Sequence, residues 1–364
     1  MNRKLNSVLA LALAGSLALL SGCGQAASSS EGASSAAASA AGDTQLNLYT
    51  WEGMFPQEVL DGFTAETGIQ INYSSFDTDE TMLAKLEAAK GGDYDLVIAD
   101  DYIVETAISE GLVAKLDKTK LSNLGNVNPI YQGQFFDPED AYTVPYGAGV
   151  QTIVYDPTLV EKPITCYADL WDESLKDQLV VMDHMRNILG MTMKSMGYSL
   201  NTADPDVIAA AGEKLMKLKP NIRALDGDTP HEKLISGECT IGYVFTSQVS
   251  AVLSERPDFA VCYPEEGMGF GIDSLFMPSN PPHEDAALQF MNYMCDPEVS
   301  ARASVFTQYI NCNSAATQYL PEEFLNNKAV NIPDDILGNI EFMEDISPEA
   351  TEQMNEIWNA FKQS

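Results

Sequence analysis

The sequence predicts an α/β protein of two lobes, with mixed sheets flanked by helices and a cleft between the lobes. Three observations carry this. Residues 45–111 alternate strand and helix patterns three times, the signature of a parallel sheet covered by helices. A second α/β block begins near Leu179. Between the two, extended stretches around 142–155 can carry the chain from one lobe to the other. The length, 364 residues, agrees with two domains and a tail at roughly 100–200 residues per domain. Ligands favour such interdomain clefts and the carboxyl ends of sheet strands.

Each element has its own signal. Gln45–Tyr49 alternates polar and apolar side chains, as a half-buried strand does. Phe55–Thr67 sets Phe55, Val59, Leu60 and Phe63 at helical spacing, with Pro56 near its start and Gly68 to stop it. Ile69–Tyr73 alternates again. Thr78–Lys90 opens on a capping threonine and lines Met82, Leu83, Leu86 and Ala89 along one face before Gly91 and Gly92. Tyr94–Ala99 is a short apolar strand of the parallel kind, and Val104–Glu110 is a helix closed by Gly111. Tyr142–Tyr146 and Gln151–Tyr155 read as two strands joined by Gly147-Ala148-Gly149. The second block reads as a strand at Leu179–Met182, helices at Ile188–Met196 and Val207–Leu218, a strand at Thr240–Phe245 and a helix at Thr246–Ser254. A strand at Gly271–Met277 and helices at Glu284–Cys295, Pro297–Phe306 and Met354–Phe361 complete the pattern. No repeat of fixed period is present, which excludes a solenoid or propeller.

The N-terminus is an address. Arg3 and Lys4 precede a mostly apolar run, Ser7–Leu20, of signal-peptide length and short for a membrane span. It ends in Leu20-Ser21-Gly22-Cys23, which resembles the lipobox of bacterial lipoproteins; a secretory signal that happens to contain a cysteine is the other reading. On the lipoprotein reading, 1–22 is a signal peptide and Cys23 becomes the lipidated N-terminus. Gly24–Thr44 is almost all Ala, Ser and Gly, so 23–44 is expected to be a disordered tether between anchor and folded body. The body is then extracytoplasmic and lipid-anchored, facing a periplasm or the open exterior. No later stretch approaches eighteen uninterrupted apolar residues.

Charge and composition narrow the function. Fifty-three acidic against twenty basic residues give a net charge of −33. Such a surface repels phosphate backbones and excludes nucleic acid as the main partner. The field suits a cationic ligand or serves solubility. Only three histidines are present, so a histidine-based catalytic or metal site is not expected. There is no G-x-S-x-G elbow, His231 and His283 stand beside prolines in apparent loops, and His184 reads as a neutral contact or a structural residue. The glycine clusters at 147–149 and 267–271 do not lead from a strand into a helix, so no dinucleotide cofactor is expected. Asp77-Thr78-Asp79 starts like a calcium loop, but Met82 stands where a glycine is required. Beyond Cys23 the five cysteines form no C-x-x-C pair and read as small buried apolar residues. Neither an enzyme nor a metal centre is indicated.

The ordered set Leu48-Tyr49-Thr50-Trp51, Phe63–Ile69, Asp79–Leu86, Tyr94–Ile98, Asp273–Pro278 and Tyr309 resembles the spermidine/putrescine-binding proteins of bacterial ABC transporters. The resemblance covers essentially all of Gln45–Lys362. It implies a type II periplasmic-binding fold whose lobes close on ligand like a hinged trap, a monomer that captures a polyamine and delivers it to a membrane permease. It also implies a first lobe of 45–150 plus 272–318 and a second of 151–271 plus 319–364.

A polyamine carries ammonium groups on a methylene chain. Each buried ammonium needs a carboxylate or other acceptors, and aromatic faces suit the methylenes. Asp273 lies inside an apolar strand, where a carboxylate needs a partner, and the resemblance makes it the amine anchor; bonding to backbone amides is the alternative. By the same resemblance Trp51, Tyr102 and Tyr309 supply cage walls, with core packing the alternative for Trp51. Asp100 stands where the family often has serine and is either an extra amine contact or a solvated loop charge. Several positions depart from the family. Glu52-Gly53-Met54 lacks a tyrosine wall, only Asp183 is acidic in the second-lobe segment Asp183–Asn187, Asn187 replaces a glutamate, and Phe245 and Gly271 each replace a tryptophan. Glu52, Asp100 and Glu344 could rebuild an acidic pocket for a different cationic amine. Tyr102 and Tyr309 leave ferric iron as a further alternative.

Overall fold

The computed structural model describes residues 43–364; the expected signal peptide, Cys23 and nearly all of the tether lie outside the described residues. The first block is β1 (Gln45–Thr50), α1 (Gln57–Thr67), β2 (Gln70–Ser75), α2 (Asp79–Ala89), β3 (Leu96–Ala99) and α3 (Asp101–Ser109). β1 pairs in parallel with both β2 and β3, as the β-α-β alternation requires. α3 begins three residues earlier than its apolar periodicity suggests, because Asp100 is extended (φ −64°, ψ 151°) and serves as the N-cap. Asp101 and Tyr102 therefore belong to a helix start rather than a loop.

The long strand β4 (Thr143–Tyr155) replaces the two short strands expected on either side of Gly147-Ala148-Gly149. The glycines do not turn: Gly147 pairs with Asp273 and Asn311, and Gly149 with Gly271. After β5 (Leu179–Val181), α4 (Met185–Lys194), α5 (Pro205–Leu218), β6 (Ile222–Leu225), α6 (Pro230–Ile235), β7 (Ile241–Phe245), α7 (Thr246–Glu255) and β8 (Ala260–Cys262), the chain returns as β9 (Met268–Phe276). β6, α6 and β8 escape sequence reading because each is short and lacks a clean apolar period. Then follow α8 (Glu284–Met294), α9 (Pro297–Thr307), β10 (Ile310–Asn311), α10 (Glu322–Leu325), α11 (Asp334–Leu337), β11 (Ile340–Phe342) and α12 (Pro348–Gln363).

The strand order is β2-β1-β3-β9-β4-β7-β5-β6. β4 is the seam: Thr143–Val150 lies antiparallel to β9, and Gln151–Tyr155 lies antiparallel to β7. β10 covers the outer side of Gly147 and Ala148. The sheet is thus mixed, with one lobe built on β1–β3 and the other on β5–β7.

Each lobe buries apolar side chains on both faces of its strands. In the first lobe Leu46 and Leu48 pack with Phe63, Leu275 and Phe290 on one face, while Tyr49 and Val97 pack with Phe270, Phe276 and Ile310 on the other. In the second, Ile153, Val181 and Tyr243 pack with Leu215, Met354, Trp358 and Phe361, and Val154, Val180 and Val244 with Leu234 and Val249. Full burial of each such side chain contributes about 1.5–3 kcal/mol. Phe324, Val330 and Ile332 join the first-lobe core, whereas Ala329 and α12 join the second, so the C-terminal segment passes over both. All five cysteines after Cys23 are free, and all but Cys166 are buried. Among the described residues no helix is long and apolar enough to cross a membrane.

Candidate functional site

The sheet order brings carboxylates together. Ala99 of β3 lies opposite Ser274 of β9, so Asp100, the next residue, comes beside Asp273. Asp79 opens α2, whose N-cap Thr78 accepts the Thr81 amide at 3.2 Å. Asp100 stands within hydrogen-bonding reach of both Asp79 and Asp273. Asp79 is 6% exposed, Asp273 8% and Asp101 1%. Burial, and then the neighbouring Asp100, push the Asp79 and Asp273 carboxyls well above the usual carboxylate range. Burial raises Asp101 as well, although its carboxylate accepts the Ile272 amide at 3.1 Å and the Tyr102 amide at 2.8 Å.

Two phenols complete this side. The Tyr102 hydroxyl donates to Glu80 at 3.2 Å and Asp79 at 3.4 Å. Tyr309 stands against Asp273, and its ring lies so close over Gly147 that a Cβ there would be 2.6 Å from Cδ2. Gly147 itself pairs with Asp273 across the sheet. Burial and adjacent carboxylates push both phenols up, which keeps them protonated donors. Among the described residues no group of three or more His, Cys, Asp and Glu is placed to hold a metal ion.

The second lobe faces this cluster with different chemistry. His184 caps α4 and lies near Asp100 and Glu80. Burial pushes its imidazole below the usual histidine range, against the pull of those carboxylates. Arg186 donates to Asn201 at 3.2 Å and to the Glu344 carbonyl at 3.0 Å, and lies near Tyr102. Three buried polar atoms here have no partner: Asp79 Oδ1, His184 Nδ1 and Arg186 Nε. With no protein partner, each is free to bond a ligand entering the pocket.

Among the described residues, none of the ion pairs involves Asp79, Glu80, Asp100, Asp101 or Asp273. The cluster is an acidic pocket in which Asp79, Asp101 and Asp273 are buried, Asp100 is half-buried and Glu80 is exposed, and none of them is neutralised by an ion pair among the described residues. What it can do chemically is bind positive charge.

Of the residues singled out in the sequence, Asp100, Tyr102, Asp273 and Tyr309 come together. Trp51 stands at the carboxyl end of β1, 5.1 Å from Phe76, and its carbonyl accepts the Tyr73 hydroxyl at 2.6 Å. Glu52 is exposed beside it. Asp183 instead turns to Lys362 at 3.2 Å, and Asn187 donates to the Met182 sulfur at 3.1 Å inside the second lobe. Phe245 caps α7 and packs on the second-lobe core. Sequence reading missed Asp79, Glu80 and the placement of His184. The acidic pair that opens α2 looks like ordinary helix-dipole compensation; only the position of α2 against β3 and β9 reveals another role.

A two-lobed α/β body with an acidic pocket between its strand ends is a binding protein's architecture. The family model for bacterial extracellular solute-binding proteins matches residues 58–331, and the chain belongs to that family. It is similar to the spermidine/putrescine-binding periplasmic protein of Salmonella typhimurium, at 36% identity over 81% of this chain and 85% of that one. The protein of the same description from Escherichia coli is 34% identical over 85% of this chain and 89% of that one. Among solved structures, the spermidine/putrescine ABC transporter substrate-binding protein of Streptococcus pneumoniae superposes with a TM-score of 0.79 at 30% identity, covering 88% of this chain and 99% of that one. A putative spermidine/putrescine ABC transporter from Listeria monocytogenes gives 0.82 at 28%, covering 88% and 99%. The chain is therefore an extracytoplasmic solute-binding protein of the transport class, not an enzyme.

Proposed function

We propose that this protein captures a polyamine between its lobes and hands it to the permease of an ABC importer, while Cys23 carries a lipid that holds it at the membrane. The observation that carries the ligand reading is the cluster of Asp79 and Asp273, both buried, with half-buried Asp100 between them and none of the three in an ion pair among the described residues. An ammonium group supplies the missing charge and up to three N–H donors. Asp273, Asp100, Tyr309 and Tyr102 hold the amine, with Trp51 and Glu52 at the rim of the first lobe. The relatives named for spermidine and putrescine support this reading. Closure bends the chain about β4 and the start of β9, the two strands that join the lobes.

A thermal-shift screen tests it, with putrescine, cadaverine, spermidine, spermine, choline-type amines and basic amino acids. A one-site ligand at a hundred times its Kd adds about 2.7 kcal/mol. A shift with a polyamine that disappears in Asp273→Ala is the expected result. No shift with any amine sinks the ligand reading and leaves the fold intact. For the anchor, Cys23→Ser should move the protein from the membrane fraction to the soluble one.

A further inference from the structure

The pocket carries its negative charge on one side only. Its carboxylates, Asp79, Glu80, Asp100 and Asp273, all come from the first lobe. On the facing side the second lobe offers His184 with an unpartnered Nδ1 and Arg186 with an unpartnered Nε. Asp183, the acidic residue next to His184, is turned away to Lys362. Asn187 is turned into the second-lobe interior. Other charged groups near Arg186 are Lys194, which lines the same small cavity and is paired with Glu341 at 2.8 Å, and the exposed Glu344 and Asp345; the carbonyl of Glu344 accepts from Arg186, and Asp345 pulls on its charge.

From this asymmetry, and resting on the amine reading above, we propose that His184 sets the charge selectivity of the cleft: the site takes a compact diamine, both ammonium groups on first-lobe carboxylates, and turns away a longer triamine. Asp100 bridges Asp79 and Asp273, which gives a run of acceptors on which two ammonium groups can sit close together. His184, near Asp100 and Glu80 and with its buried Nδ1 unpartnered, faces these ammonium groups and offers that nitrogen to one further N–H. A third ammonium directed into the second lobe meets no buried carboxylate and approaches the Arg186 guanidinium, so it stays unpaired. Selectivity is a difference between two affinities, and the unpaired charge supplies it.

Isothermal titration of the full-length protein with putrescine, cadaverine and spermidine at pH 7.5 tests this, with His184→Asp and His184→Gln alongside. The wild type should bind the preferred diamine at least tenfold more tightly than spermidine. H184D, which places a carboxylate on the second-lobe side, should move the diamine-to-triamine ratio at least tenfold toward spermidine. H184Q, a neutral acceptor, should keep the wild-type preference. Each ratio is taken within one preparation, so a loss of folded fraction cancels. Spermidine bound as tightly as the diamines by the wild type, or a ratio unchanged in H184D, overturns the selectivity while leaving amine binding in place. No binding of any of the three overturns the amine reading and the selectivity with it.

Discussion

Asp79 and Asp273 carry the site's pH behaviour. Their carboxyls are raised in the folded protein, so the native state holds protons that the unfolded chain has already released. Stability without ligand therefore falls as pH rises above the ordinary aspartate value of 3.8 toward the folded values. Urea unfolding should give a lower midpoint at pH 8 than at pH 5.5, and Asp79→Asn should flatten that slope. A cationic ligand needs the carboxylates ionised, so its binding expels protons. Amine affinity should rise by about tenfold per pH unit for each proton released, and level off once the carboxyls of the free protein are ionised. Calorimetry in phosphate and in Tris measures the proton count directly; equal heats in both buffers would rule the coupling out. Gly147 belongs to the same scale. Gly147→Ala drives a methyl into the Tyr309 ring, displaces it from Asp273 and should weaken amine binding about tenfold or more, at the loss of one charge-assisted hydrogen bond.

At the scale of elements, helix starts do most of the positioning. α2, α3 and α4 begin with Asp79, Asp101 and Met185, and their N-caps are Thr78, Asp100 and His184. Thr78 is the one of these caps whose side chain bonds its own helix. Thr78→Ala should cost about 1 kcal/mol in chemical denaturation and loosen Asp79 as well. Asp100 and His184 make no such bond, which leaves their side chains free for the pocket. α12 anchors the other lobe: Met354, Trp358 and Phe361 are buried, and Trp358 stacks on Phe361 at 5.4 Å. Trp358→Ala should destabilise the protein by about 3–5 kcal/mol, and an unfolding curve that stays within 1 kcal/mol of wild type would contradict this packing.

For the molecule as a whole, β4 matters most, because a single strand belongs to both halves of the sheet. A continuous strand resists independent unfolding of the lobes yet permits bending where its partner changes from β9 to β7. Ligand should shift the ensemble toward the closed form only by its differential affinity for that form. Small-angle scattering should show a smaller radius of gyration with saturating diamine, and no change in Asp273→Ala.

While Asp100, Tyr102 and Tyr309 entered as candidates through the family resemblance, the sequence by itself determined the α/β class and the parallel start of the sheet, and it marked Asp273 as a carboxylate in need of a partner. Those features rest on local patterns: alternation, helical spacing, and a carboxylate set inside an apolar strand. Periodicity also located α1, α2, α8 and α9 to within a few residues. It failed at β6, α6 and β8, where three to six residues bury too little to impose a pattern. Only the tertiary structure decided that Gly147-Ala148-Gly149 runs on as strand, because its pairing partners, Ile272, Asp273, Ile310 and Asn311, lie more than a hundred residues away. It likewise decided the fates of Asp79 and Asp183. Both are acidic residues at or next to a helix start, and nothing nearby in sequence separates them. The strand order buries the first beside Asp100 and Asp273, while α12 offers Lys362 to the second. Burial and pairing are properties of what the fold brings near, and for these two aspartates they divide a buried candidate site from a surface ion pair.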